Sequence, residues 1–278
     1  METRDIQKRI SAILKLVDEN GPKRGDPGMI TRRNATAGIA ACSAFGLASV
    51  RAQPALADEP PFDQLTFPAF EAIGKPEQFG YKPPTAIQKE NAAEIVRATP
   101  NGPSPIAIVQ SFVDRYYVKD PDSISQWPAP NEWNPLIVTF FSSTSYPANN
   151  DMIPWCAAFA NWCLERAGRT GSRSAASQSF LSNKAFKRTD DPKAGDLIVF
   201  TCYDLATNKS VGVGHVTFVK EKPANGRVKV VGGNQSKDGH SSIISETEFP
   251  LGDRPVKRHI GSKYVPCVMR LNSFIAIV

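Results

Sequence analysis

A cysteine that opens an apolar helix and a histidine set in a strand are the two residues of this chain able to form a nucleophile–base pair. Pro154 to Gly168 reads PWCAAFANWCLERAG. Pro154 suits a first-turn position and Gly168 a helix C-terminus, and Ala157, Phe159, Ala160, Cys163, Leu164 and Ala167 supply a broad apolar face. Cys156 then stands at the helix start, where the positive end of the helix dipole favours the thiolate, the nucleophilic form of the side chain. Unpaired N–H groups of that first turn are placed to receive an oxyanion. The sequence holds 3 histidines. His215 is the best base among them, while His240 and His259 fall in polar stretches that read as solvent-facing loops. An imidazole acting as a base needs a third group to fix its tautomer and orientation. Asn234 ends the following strand, and counting back from the intervening turn brings it level with His215. Gln235 is an alternative third member. Asp196 is another, although its place after Pro-x-x-Gly reads as a turn residue that holds backbone N–H groups. Cys163, seven residues on and mid-helix, reads as packing.

The elements that must position these residues follow from periodicity. Residues 105–118 (PIAIVQSFVDRYYV) space Ile106, Val109, Phe112, Val113 and Tyr116 helically, and a second short helix is expected over Asn134 to Phe141. A Pro-x-x-Gly-Asp turn at 192–196 feeds a strand from Leu197 to Cys202. Gly212 to Lys220 reads as a strand with His215, Thr217 and Val219 on one face and Val216 and Phe218 on the other. Asn225-Gly226 is a hairpin signal, Arg227 to Gly233 its returning strand, and Tyr264 to Arg270 a final strand. Helices first and an antiparallel meander after them mean an α+β fold.

Residues 58–104 are Pro-rich and read as a linker or N-terminal extension, with a helix near Ala86–Ala98. Residues 1–57 carry nine Lys/Arg against five Asp/Glu, so only +2 of the net +6 belongs to the rest of the chain. That distribution argues against a nucleic-acid partner. Arg32-Arg33, a run of small apolar residues from Ala35 to Val50, and Ala55-Leu56-Ala57 have the organisation of a secretory signal. Thr31-Arg32-Arg33 resembles a twin-arginine export signal, with residues 1–28 as a long n-region or Met29 as the true start. The run is too short and too rich in Ala, Gly and Ser for a stable membrane span. Export places the protein in the periplasm or outside the cell. Of 5 cysteines, Cys42 lies in this leader. Cys156, Cys163, Cys202 and Cys267 remain and form neither a C-x-x-C nor a zinc-ligand pattern. A Cys202–Cys267 disulfide is left open.

Four motifs resemble one family in order. Trp155-Cys156-Ala157-Ala158-Phe159 with Asn161-Trp162-Cys163-Leu164 is similar to the nucleophile helix of NlpC-type cysteine peptidases, in the branch close to CHAP domains (cysteine, histidine-dependent amidohydrolases/peptidases). Pro192 to Phe200 is similar to the Pro-x-x-Gly-Asp strand of that branch, Gly214-His215-Val216-Thr217-Phe218-Val219 to its histidine strand, and Gly232-Gly233-Asn234-Gln235 to the polar strand after it. Asn134-Pro135-Leu136-Ile137 resembles its upstream segment. The resemblance covers about residues 105–272. It implies a papain-like α+β fold with the nucleophile helix packed on an antiparallel sheet, residues 105–278 as the hydrolase domain, and cleavage of an amide in the peptide part of bacterial peptidoglycan. It maps the nucleophile to Cys156, the base to His215 and the third polar residue to Asn234, with Trp155 and Gln235 on the oxyanion or substrate side. It implies no metal and no cofactor. Two departures stand out: the loop over Ser172–Ser182 keeps the small-residue run only loosely, and Tyr203–Gly212 is long, which points to a remodelled groove. A non-catalytic wall-binding module of the same fold, and a secreted amidase or acyltransferase acting on another substrate, are the alternatives.

Overall fold

The computed structural model describes residues 82–127, 132–238, 240–260 and 263–278. Residues 1–57, with the expected export signal, and residues 58–81 lie outside them. Helices come first: α1 (Ala86–Ala98), α2 (Pro105–Phe112), α3 (Pro135–Phe140), α4 (Cys156–Arg166) and the single turn α5 (Ser179–Ser182). Among the described residues seven strands follow: β1 (Lys187–Thr189), β2 (Leu197–Asp204), β3 (Ser210–Val219), β4 (Arg227–Lys237), β5 (His240–Pro250), β6 (Arg254–Ile260) and β7 (Lys263–Ala276). They form one antiparallel sheet in the order β1-β7-β2-β3-β4-β5, and β6 also pairs β7. This is the expected α+β arrangement. The expected final strand is longer than its sequence pattern suggested. His240 and His259, read as loop residues, lie in β5 and β6, where cross-strand pairing overrides local polarity.

The expected helix at 86–98 is present and belongs to the folded unit. Thr85 and Gln88 close a capping box at its start, and Ala92 and Ile95 are buried in the main core. Its far end is held by Arg166 of α4, whose guanidinium donates to the carbonyl oxygens of Val96 at 2.9 Å, Thr99 at 2.6 Å and Pro100 at 2.8 Å.

Helix α4 is buried all round, from Cys156 through Leu164, the pattern of a helix enclosed on every side. Phe112, Phe140, Trp155, Phe159 and Trp162 pack edge-on or stacked around it. It ends as its sequence indicates: Gly168 takes φ +70° and Arg169 N–H donates back to the Leu164 carbonyl at 2.8 Å. Leu197, Val199, Val216, Phe218 and Val231 share this core. Ile198, Phe200, Cys202, Val213, Val219, Val228 and Val230 form a second core with Phe249, Cys267 and Met269. The sheet therefore buries both faces, and it curls enough for Phe249 of β5 to meet Phe200 of β2 at 5.5 Å.

The Asn225-Gly226 turn forms as expected, with φ +53° and +71° and reciprocal backbone bonds between Ala224 and Arg227 of 3.0 and 2.9 Å. From this turn β3 and β4 pair at Val219↔Val230 and Phe218↔Val231, and the ladder goes no further. Beyond that point Gly233 faces the helix. A Cβ there would stand 2.1 Å from the Trp155 ring and 3.0 Å from Phe159, whereas one on Gly252 would meet nothing. A rigid indole gives little way, so Gly233→Ala is expected to cost about 1–3 kcal/mol by overpacking, with Gly252→Ala near neutral. Urea unfolding of both variants is the check. Equal stability of the two would mean that the helix does not press on β4.

Candidate active site

Cys156 is the first residue of α4 and Trp155 is its N-cap. Three backbone N–H groups bear on the Cys156 sulfur and favour its thiolate: that of Val216, the residue after His215, and those of Ala157 and Cys156 itself in the first turn of the helix. The thiol thus sits against the strand step that carries the histidine. Its side chain is enclosed, and this burial raises the Cys156 pKa; the Val216 amide, the charge of Arg258 and the two first-turn amides pull the other way without overcoming it. Cys163, by contrast, lies wholly inside the core, and burial lifts its pKa further still.

His215 stands opposite Phe200 in the β2–β3 register. Its ring meets Phe249 edge-on, with centroids 5.8 Å apart. Burial first, then the charges of Arg258 and Arg254, push its pKa down to about 3. At rest both groups are therefore neutral, a thiol at Cys156 and an imidazole at His215. His215 Nε2 is buried and has no hydrogen-bond partner.

The candidate third residues separate. Asn234 adopts φ +58°, and its Oδ1 accepts from Ser242 Oγ at 2.9 Å. Ser242 Oγ in turn accepts from Trp155 Nε1 at 3.0 Å. Asn234 is thus linked through Ser242 to the N-cap of the nucleophile helix and makes no hydrogen bond to His215. Trp155 is fully buried and stacks on Phe140, so its indole is a wall of the helix and not an open contact surface. Gln235 Nε2 donates to the Ser245 carbonyl at 3.1 Å and to Thr217 Oγ1 at 3.4 Å, and its Oε1 is buried without a partner. Thr217 lies two residues from His215, on the same face of β3. Asp196 holds a turn, accepting from Lys193 N–H and Ile277 N–H at 2.8 Å each. Cys202 and Cys267 are not joined in a disulfide; they sit diagonally on β2 and β7, in a register that pairs Cys202 with Met269 and Asp204 with Cys267. Among the described residues no group of three His, Cys, Asp or Glu could hold a metal ion, and no helix is long and apolar enough to cross a membrane.

Sequence reasoning missed Asp151. Its Oδ2 accepts from the N–H groups of Trp127 at 3.0 Å and Asn134 at 2.8 Å, while Oδ1 is buried with no partner. Asn134 caps α3 and binds the carbonyls of Ser123 and Ser125. One carboxyl thereby ties two loops to the segment that leads into Cys156. Burial raises its pKa to about 7 against those amide bonds. No pattern in the sequence marks it, because its partners are main-chain groups.

Residues 148–234 match the CHAP domain family. No curated protein and no solved structure matches the chain. The match includes Cys156, His215 and Asn234 and bears out the likeness to CHAP and NlpC-type cysteine peptidases and amidases read from the motifs. CHAP domains are typically cysteine- and histidine-dependent amidases or peptidases of the peptidoglycan-hydrolase type.

His215 and Asp151 have opposite effects on stability. The imidazole, depressed from about 6.5 to about 3, contributes stability that is present above pH 6.5 and is lost as pH falls toward 3. The carboxyl, raised from about 3.9 to about 7, contributes stability that is present below pH 4 and is lost as pH rises through 7. Between roughly pH 4.5 and 6.5 the two proton differences cancel. Asp151→Asn removes one of them, so unfolding free energy should climb with pH more steeply than in the wild type, by about 1.4 kcal/mol per pH unit. Urea titrations at three pH values in that window test this; parallel slopes would contradict the assignment.

Proposed function

We propose that the protein is an exported cysteine hydrolase that cleaves an amide bond in the peptide part of peptidoglycan, with Cys156 as nucleophile and His215 as base. The observation that carries this reading is the Cys156 sulfur on the Val216 amide, one residue from His215, at the first turn of a buried helix within the CHAP match. Because thiol and imidazole rest neutral, proton transfer from Cys156 to His215 accompanies attack on the amide carbonyl. The tetrahedral oxyanion forms against the first-turn N–H groups, as preorganised backbone donors there favour. His215 then protonates the leaving amine, the C–N bond breaks, and water activated by His215 hydrolyses the thioester. Of the three candidate orienters, Asp196 holds its turn and Asn234 is engaged by Ser242, whereas Gln235 retains an unpartnered Oε1. Gln235 is thus the group available to hold His215, and Asn234 the one that positions Trp155. The leader pattern supports export, which agrees with a substrate outside the cytoplasm.

A second reading, a wall-binding module without turnover, is favoured by one observation: Cys156 is 3% and His215 5% exposed, so a peptide reaches them only if the covering side chains give way. The two readings part in one assay. Full-length protein incubated with peptidoglycan should release free amino groups, Cys156→Ala should release none, and His215→Ala should lose about 100-fold or more. Sustained wall binding with no release by the wild type would favour the binding module.

A further inference from the structure

β6 brings two arginines to the core face that carries His215. Arg254 pairs Met269 across the ladder and Arg258 pairs Val265. Four residues along a strand separate their Cα atoms by about 13 Å. Even so, the guanidinium groups converge on one atom: Arg254 Nη2 lies 3.7 Å and Arg258 Nη2 3.5 Å from Met269 Sδ. Arg254 also stacks over Phe249, 4.1 Å from its ring centroid, and Phe249 is the ring that packs on His215. Thioether sulfur is a weak acceptor, and among the described residues no carboxylate forms an ion pair with either arginine. Arg258 Nε is buried and has no hydrogen-bond partner. Burial and the neighbouring Arg258 charge lower the Arg254 pKa to about 10, and the Arg258 charge acts on both Cys156 and His215.

Two like charges drawn together over a weak acceptor are unfavourable in the free protein. So is a buried donor with no acceptor, which costs about 1–3 kcal/mol. An incoming carboxylate relieves both costs, since a guanidinium fork matches it in shape and charge. We propose that Arg254 and Arg258 form a carboxylate subsite that docks an acidic group of the peptide beside the scissile amide. This rests on the hydrolase reading and extends it to the substrate: the preferred peptide carries a free carboxylate next to the bond that is cut, and its carboxamide counterpart is a poor substrate.

The test uses two synthetic stem peptides that differ only in one carboxylate replaced by carboxamide. Cleavage by the full-length wild type is measured on each, together with binding of each to Cys156→Ala. The wild type should favour the carboxylate peptide by about tenfold or more in kcat/KM, and Cys156→Ala should show the same preference in Kd. Arg258→Gln and Arg254→Gln should lose most of that preference, with the loss falling on the carboxylate peptide far more than on its carboxamide counterpart. Arg258→Lys should recover only part of it, because an ammonium lacks the fork. Thermal melts of each variant show that it folds. Equal treatment of the two peptides by the wild type, or an equal loss on both in Arg258→Gln, would overturn the subsite. A protein that binds the carboxylate peptide selectively and cleaves neither keeps the subsite and overturns the hydrolase reading; one that cleaves both alike does the reverse.

Discussion

β3 and β4 leave their ladder after the Phe218–Val231 pair, and beyond it Trp155 at the N-terminus of α4 packs against Gly233 of β4. The Val216 amide, which an unbroken ladder would engage, donates instead to the Cys156 sulfur. Gly233 lets this happen, because only a residue without a Cβ admits the Trp155 ring so close to the strand. Trp155 is then fastened by the Ser242–Asn234 relay from β4 and β5. The break in the sheet, the position of the nucleophile and the burial of its helix are one packing solution.

That solution sets the electrostatics. A sulfur with three amide donors has what a thiolate needs, yet it is enclosed by core on every side, and burial dominates. The histidine is driven the same way, toward neutrality, by burial and by two arginines. A neutral pair at rest avoids an ion pair whose desolvation would be costly. It also means that reactivity depends on what the substrate brings into the site, where an anion near Arg254 and Arg258 would offset the positive charge that now disfavours an imidazolium.

The positions of Cys156, His215 and the Asn225-Gly226 turn were legible because each rests on a local signal: a Pro-led apolar helix, a period-two strand, a two-residue turn. Even the level of Asn234 follows from counting along the hairpin, since its number and that of His215 continue the Phe218–Val231 register. Its role was not legible, because the ladder opens before that level and hands Asn234 to Ser242, a residue on the next strand. β5 and β6 were missed for the same kind of reason. Their polar residues satisfy the backbone through long-range pairing with β4 and β7, not through a pattern within themselves. Asp151 and the converging arginines likewise depend on groups brought from far along the chain.

Turnover is expected to acylate Cys156. Full-length His215→Ala, expected to attack slowly and hydrolyse its thioester more slowly still, would be incubated with a stem peptide, quenched in acid, digested and read by mass. An acid-stable, hydroxylamine-labile acyl adduct is expected on the fragment bearing Cys156, in parallel with release of the amine product. Amine release with Cys156 unmodified, or an adduct on Cys163, Cys202 or Cys267 in its place, would contradict it.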